Sequence, residues 1–199
     1  MKIEKITDKI AYLPATETPL SADVGIIRCD DGLWVFDIGC SDEAVLAINE
    51  LGDKKSIALS HFHPDHTGNI GRVTYDVLYA GTFTCIKLGV GTELTAHLYF
   101  ENGIHLFPIP SCHAKGCVGL EYEGYAFLGD ATYSTIKENR VAYNAGVLKE
   151  MIAVLKSLQA DWFLLSHSEP FAKPKAEVLA QLEKIYALRD RQEPYIFVM

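Results

Sequence analysis

The stretch Ser60-His61-Phe62-His63-Pro64-Asp65-His66-Thr67-Gly68 decides what kind of fold and site this sequence predicts. Three imidazoles and one carboxylate fall within six positions of it, directly after the apolar run 56–59. A strand end fixes the backbone, and the loop that follows can turn several side chains toward one point. Imidazole and carboxylate groups are donors that zinc, iron and manganese accept, and burying several of them without partners is costly. The stretch therefore predicts a metal site at the end of a strand.

Outward from this stretch, turn signals and apolar periodicity predict a mixture of strands and helices. Asp30-Asp31-Gly32 predicts a hairpin turn, and similar signals occur around Gly103 and Gly124. The predicted strands are 22–29, 33–37, 56–59, 73–79, 93–100, 104–109, 117–122, 125–130 and 162–165. Four helices are predicted. The first follows the N-cap Ser41, the second begins at Thr82, the third spans 147–158, and the last begins at Pro174. Strands and helices in both halves indicate sheets covered by helices on their outer faces.

Length and charge narrow the classes of partner. The 199 residues, 49% of them apolar, predict one domain over residues 1–199. Lys and Arg number 18 against 26 Asp and Glu, a net charge of -8, so we expect a small-molecule substrate and neither nucleic acid nor membrane. No apolar run approaches the roughly 20 residues that span a bilayer. Five scattered cysteines without a C-x-x-C predict reduced thiols and a cytoplasmic protein. The oligomeric state stays open.

Five motifs in order resemble those of the metallo-β-lactamase superfamily, whose signature is H-x-H-x-D-H after a strand. Asp37 in LWVFDIG matches the first motif, and the stretch 60–68 matches the second. His113 in PSCHAKGCVGL, Asp130 in AFLGDA and His167 in FLLSHSEP match the third, fourth and fifth. The resemblance implies an α+β fold, a four-layer αββα sandwich with two metal ions at one edge of its paired sheets.

The resemblance also implies a ligand set. By position, the first ion falls to His61, His63 and His113, the second to Asp65, His66 and His167, and Asp130 bridges the two. Three imidazoles leave an open coordination position, and mixed oxygen and nitrogen donors suit the second ion. The expected cofactors are two divalent ions, zinc first, with iron or manganese as alternatives because no cysteine is among the ligands.

Five further residues are considered one by one. The resemblance implies that Asp37 supports the ligand loop by hydrogen bonding without binding an ion, although a strand-end Asp also commonly starts a turn. Whether Tyr133 and Cys112 contribute to the site stays open. His97 and His105 match no motif and are left out of the metal site.

The expected function is that of a dinuclear metal-dependent hydrolase. A metal-bridging hydroxide, oriented by Asp65 and Asp130, would cleave a small ester, thioester, lactone or phosphodiester. Asp130 stands where many true β-lactamases have Cys or Ser, and His63 stands where flavodiiron proteins carry Glu, so neither of those activities is expected. Two alternatives stay open: a mononuclear iron sulfur dioxygenase that uses the residues matching His61, His113 and Asp130, and a non-catalytic metal-binding protein.

Overall fold

Eighteen strands and five helices lie in the part of the chain that the computed structural model describes, residues 2–52 and 54–198. The strands are β1 (Glu4–Lys5), β2 (Ile10–Leu13), β3 (Thr16–Glu17), β4 (Leu20–Ser21), β5 (Val24–Cys29), β6 (Gly32–Phe36), β7 (Lys55–Leu59), β8 (Val77–Gly81), β9 (Thr92–Leu94), β10 (Leu98–Tyr99), β11 (His105–Ile109), β12 (Cys117–Tyr122), β13 (Tyr125–Gly129), β14 (Thr135–Lys137), β15 (Arg140–Asn144), β16 (Trp162–Leu165), β17 (Ala172–Pro174) and β18 (Tyr195–Phe197). The helices are α1 (Asp42–Glu50), α2 (Pro64–Thr67), α3 (Thr82–Leu88), α4 (Ala145–Ser157) and α5 (Lys175–Ala187).

Two large sheets organise these strands. The first has the order β1-β2-β5-β6-β7-β8-β9, and the second has the order β10-β11-β12-β13-β16-β17. Strands β6 to β9 run parallel in the first sheet, and β13 runs parallel to β16 in the second. Because parallel strands end at one edge of a sheet, the loops after β6 and β7 share an edge, and so do the loops after β13 and β16.

The two sheets pack face to face through alternating side chains. Trp34 and Phe36 on β6 join Phe127 on β13 in one buried cluster between the sheets, whereas Val35 belongs to the cluster under α1. This alternation is the period of two that a strand imposes. Gly25 is required at the contact, because a Cβ there would lie 2.4 Å from a ring carbon of Phe127.

Helices cover the outer face of each sheet. Ala44 and Ile48 of α1 pack on the first sheet, while Leu148 and Met151 of α4 and Leu182 of α5 pack on the second. The order helix, sheet, sheet, helix confirms the predicted four-layer αββα sandwich. None of the described helices has the length and apolarity needed to cross a membrane.

Most predicted elements are present, and two differ. Ser41 caps α1 as expected, its Oγ accepting the Ala44 N–H at 3.2 Å. The strand predicted at 73–79 begins only at Val77, because the Val73 N–H donates to the Asn69 carbonyl and continues the turn that follows α2. The run 93–100 divides between the sheets, since β9 pairs with β8 and β10 pairs with β11.

Candidate metal centre

Three imidazoles form what we call the first donor group: His61, His63 and His113. His61 and His63 follow β7, and His113 lies between β11 and β12. The Nδ1 atom of His63 lies 2.9 Å from Nε2 of His61 and 3.1 Å from Nε2 of His113. One ring nitrogen carries either one proton or one lone pair, so it cannot hydrogen-bond well to both neighbours. For a tetrahedral zinc ion with nitrogens at 2.0–2.1 Å, adjacent nitrogens are about 3.3 Å apart, close to these separations.

The second donor group consists of Asp65, His66, Asp130 and His167, whose ligand atoms all lie within 4.8 Å of one another. Oδ2 of Asp65 is 3.0 Å from Nε2 of His167 and 3.4 Å from Nε2 of His66. Asp65 and His66 lie in α2, and His167 comes two residues after β16. Strands of both sheets therefore deliver side chains to this group.

Asp130 connects the two groups. It directly follows β13, and its Oδ2 lies 3.3 Å from Nε2 of His66 and 3.4 Å from Nε2 of His113. One carboxylate oxygen is thus close to a nitrogen of each group. The structure brings together all seven side chains that the sequence proposes as ligands.

Two orphaned polar atoms test whether this donor set fits a cation. Nε2 of His66 and Oδ1 of Asp130 are buried and have no hydrogen-bond partner. Buried polar atoms without partners are rare because desolvating them is unfavourable. A divalent ion would satisfy a nitrogen and a carboxylate oxygen at once, so the residues present fit the metal ions that the sequence resemblance implies.

Asp37 and Ser60 hold the imidazoles from the side away from the donor atoms. Oδ2 of Asp37 lies 2.7 Å from Nδ1 of His66, and its Oδ1 accepts the Ser60 N–H at 2.7 Å. The Ser60 hydroxyl lies 2.9 Å from Nδ1 of His61. Asp37 has a φ of 60°, a left-handed conformation unusual for a non-glycine residue. These contacts orient Nε2 of both rings toward the donor groups.

The two supported histidines differ in charge. Burial, aided by the neighbouring imidazoles, holds the pKa of His61 far below its ordinary value, so this ring is neutral and its Nε2 lone pair is free to bind an ion. Burial also lowers the pKa of His66, but the carboxylates of Asp37 and Asp130 outweigh it and raise the pKa to about 10. An ion that binds His66 must therefore displace a proton.

Three supporting residues escaped the sequence analysis. Gly129 has a φ of 55°, and a Cβ there would lie 2.6 Å from Cβ and Oγ of Ser60. The Asn69 side chain donates to the carbonyls of Ile38 and Ser41, both at 3.0 Å, and thereby joins the loop after β6 to the loop after α2. Asp23 accepts the His167 N–H at 2.9 Å, and burial raises the pKa of its carboxyl against the hydrogen bonds that it accepts. The sequence held one signal for two of these supporting residues, which is their position: Asn69 directly follows the stretch 60–68, and Gly129 directly precedes Asp130.

The residues left open in the sequence make other contacts. The Tyr133 hydroxyl donates to the Ser166 carbonyl, which ties it to the chain just before His167. The Cys112 thiol faces the Asn144 carbonyl at 3.7 Å, and burial raises its pKa.

His97 and His105 belong to neither donor group. Nδ1 of His97 lies 2.8 Å from Nε2 of His105, whose Nδ1 lies 2.9 Å from Oε2 of Glu121. These three side chains form a hydrogen-bonded row of their own, which runs from His97, just before β10, across β11 to β12.

No family model and no curated protein matches this chain. Solved structures do match it. A metallo-β-lactamase from Cronobacter sakazakii, a HARLDQ motif mutant, has a TM-score of 0.68 at 17% identity, covering 94% of this chain and 96% of its own. The metallo-β-lactamase FIM-1 from Pseudomonas aeruginosa, in its mono-zinc form, has a TM-score of 0.66 at 16% identity, covering 93% and 96%. A peroxy diiron species of the chemotaxis sensor ODP has a TM-score of 0.67 at 15% identity, covering 94% of each chain.

These comparisons establish the fold. The chain has the α+β metallo-β-lactamase fold, as the order of its layers and the five ordered motifs led us to expect.

Proposed function

We propose that this chain is a dinuclear metal-dependent hydrolase of a small ester, thioester, lactone or phosphodiester. The observation that carries the proposal is the position of Asp130, whose Oδ2 lies within 3.4 Å of one imidazole from each donor group. A carboxylate shared in this way suits two cations side by side, because it lowers the repulsion between them.

The proposed roles follow the donor groups. His61, His63 and His113 would hold one ion, and Asp65, His66 and His167 the other, with Asp130 between them. When bound, two divalent ions, zinc by first choice with iron or manganese as alternatives, would lower the pKa of a bound water from 15.7 toward about 7 and would polarise the bond to be cleaved.

The chain's own carboxylates orient the attacking water. Asp65 and Asp130 carry the carboxylates of the two donor groups, and we assign them the orientation of the attacking water. Asp37 keeps Nε2 of His66 turned toward these carboxylates and adds a negative charge behind the ring. Because His61 is neutral, its ring can bind an ion but has no extra proton to donate, so it is a poor general acid.

A cavity of about 420 Å³ beside His167 is our candidate for the substrate site. The stacked rings of Tyr12 and Phe171, whose centroids are 4.3 Å apart, form part of its lining, together with Glu17 and Glu169. None of its lining residues is Lys or Arg. This lining favours a neutral or cationic ester, thioester or lactone over an anionic phosphodiester.

We also propose that the chain works on small molecules in the cytoplasm, without nucleic acid or membrane. The net charge of -8 gives no general attraction for polyanions. The five cysteines are free thiols, which suits a reducing compartment.

Asp130→Asn tests the dinuclear proposal. The change keeps the size of the side chain but removes the negative charge between the ions, so we expect bound metal to fall from two ions toward one. Hydrolysis of the best substrate from a panel of chromogenic esters, thioesters, lactones and phosphodiesters should fall about 100-fold to 1,000-fold. Asp190→Asn, which changes an exposed carboxylate three residues after α5, is the matched control and should change neither quantity. Wild-type metal content and turnover in Asp130→Asn would contradict the bridging role.

Iron-based chemistry is the second candidate function. The likeness to the diiron sensor, at a TM-score of 0.67, is as strong as the likeness to the lactamases. The donor set of imidazoles and carboxylates also accepts iron. Elemental analysis of the protein as isolated separates a mononuclear iron sulfur dioxygenase, which would hold one iron at His61, His113 and Asp130, from the hydrolase, which would bind two ions per chain.

A further inference from the structure

Asp23 is a buried carboxylate that belongs to neither donor group. It directly precedes β5 and is 7% exposed. Its Oδ2 accepts the His167 N–H at 2.9 Å and the Ser166 hydroxyl at 3.3 Å, and its Oδ1 accepts the Ala15 N–H at 3.0 Å. All three partners donate, so the contacts call for an acceptor oxygen on each side of the carboxyl group.

His167 adopts a backbone conformation that needs external support. Its φ is 57°, in the left-handed region that L residues other than Gly rarely occupy. The bond from the His167 N–H to Asp23 and the bond from the Ser166 N–H to the Gly129 carbonyl, at 3.2 Å, hold the chain at this position and at the residue before it. In this conformation Nε2 of His167 reaches Oδ2 of Asp65 at 3.0 Å.

The segment around Asp23 also contacts the other arm of the second donor group. The Ala22 N–H donates to the Asp65 carbonyl at 2.9 Å. Residues 22 and 23 therefore fix the backbone of both Asp65 and His167, the pair whose side chains meet. The first donor group has its own support, from Ser60 at His61 and from Ser111, whose Oγ accepts the His113 N–H at 3.1 Å.

We infer that Asp23 is a positioning residue for the second donor group: it holds His167 in its left-handed conformation and so sets the affinity of the second ion without touching that ion. The inference rests on the proposed function. The same carboxylate fixes Ala15, at the start of the β3–β4 hairpin, and both residues line the cavity beside His167.

Asp23→Asn tests the inference, because an amide in place of the carboxylate keeps the volume but meets the three donors with only one acceptor oxygen. Zinc binding is measured in competition with a chromophoric chelator, which resolves two stepwise affinities, and His167→Ala gives the reference pattern for loss of the second site. We expect the second zinc to bind about 10- to 100-fold more weakly and the first to change by less than about 3-fold. Asp76→Asn is the matched control, since Oδ2 of Asp76 also accepts a backbone N–H, from Lys55 at 2.9 Å, at the opposite ends of the strands.

A merely structural role would weaken both zinc sites together or lower only the melting temperature, and either result overturns the inference. Should Asp23→Asn fail to fold, Ser166→Ala removes one donor to the same carboxylate, together with the acceptor of the Asp23 N–H at 3.0 Å, and should show the same selectivity for the second zinc. Amide hydrogen exchange in the metal-free protein gives an independent readout, with the His167 N–H expected to exchange at least about 10-fold faster in Asp23→Asn. An unchanged exchange rate of the His167 N–H overturns the inference. If the wild-type protein binds fewer than two zinc ions, the proposed function is overturned, and the exchange rate alone then decides the role of Asp23.

Discussion

Replacing Gly129 by Ala isolates one close contact beneath the metal centre. At a φ of 55° the new side chain meets the left-handed conformation, which costs an L residue about 1–2 kcal/mol. Its Cβ would also lie 2.6 Å from Cβ and Oγ of Ser60, and such overpacking typically costs about 1–3 kcal/mol more. Gly124→Ala is the matched control, because Gly124 has a φ of 84° and nothing within 4 Å of the added Cβ. The two variants therefore share the backbone penalty and differ in the contact with Ser60.

The assay is thermal unfolding of both variants together with a zinc titration. For a chain of this size 1 kcal/mol corresponds to about 2–4 °C, so Gly129→Ala should melt about 2–12 °C below Gly124→Ala. Because Ser60 contacts Nδ1 of His61 and donates to Asp37, its displacement should also weaken zinc binding, whereas Gly124→Ala should bind zinc as the wild type does. Equal melting temperatures and equal zinc affinities in the two variants would refute the reasoning.

Three other outcomes are expected. Asp37→Asn should weaken metal binding about 10- to 100-fold, since it removes the charge 2.7 Å behind the His66 ring; unchanged affinity in a chelator competition would argue against this support. Removing metal with a chelator should lower the melting temperature, because ions bind the folded chain and leave it on unfolding; calorimetry with and without excess zinc measures the shift, and identical curves would contradict it. In a gel-shift assay at physiological salt, mixed-sequence DNA or RNA should bind only weakly, and submicromolar affinity would contradict the argument from the charge of -8.

Local sequence signals predicted the parts of the fold that depend on neighbouring residues. The strand before His61, the N-cap at Ser41 and the turn at Gly124 each follow from a short pattern, and the structure contains all three. The start of β8 was misplaced because Val73, Thr74 and Tyr75 have strand-forming side chains although their backbone is a bend and a loop before β8. The strand propensity of a residue does not take account of a hydrogen bond such as that from the Val73 N–H to the Asn69 carbonyl.

In the candidate site, too, the sequence predicted one part and missed another. Its donor residues could be proposed because four of them lie in one stretch and the others stand in ordered motifs. The contacts that hold them could not, since Asp23 meets Ser166 and His167 across more than 140 positions of sequence. The approach of Gly129 to Ser60 is also a product of packing between the two sheets, and no pattern near either residue encodes it.

Each donor group takes side chains from both sheets, and this determines when a metal ion can bind during protein synthesis. The first group takes His61 and His63 from the first sheet and His113 from the second, and the second group combines α2 with His167, which follows β16. An emerging chain exposes the stretch 60–68 long before residue 167 is made, so an early ion would find only one arm of each group. Binding with full affinity therefore requires that the two sheets have already packed together. Each bound ion would then link the two sheets and stabilise their packing.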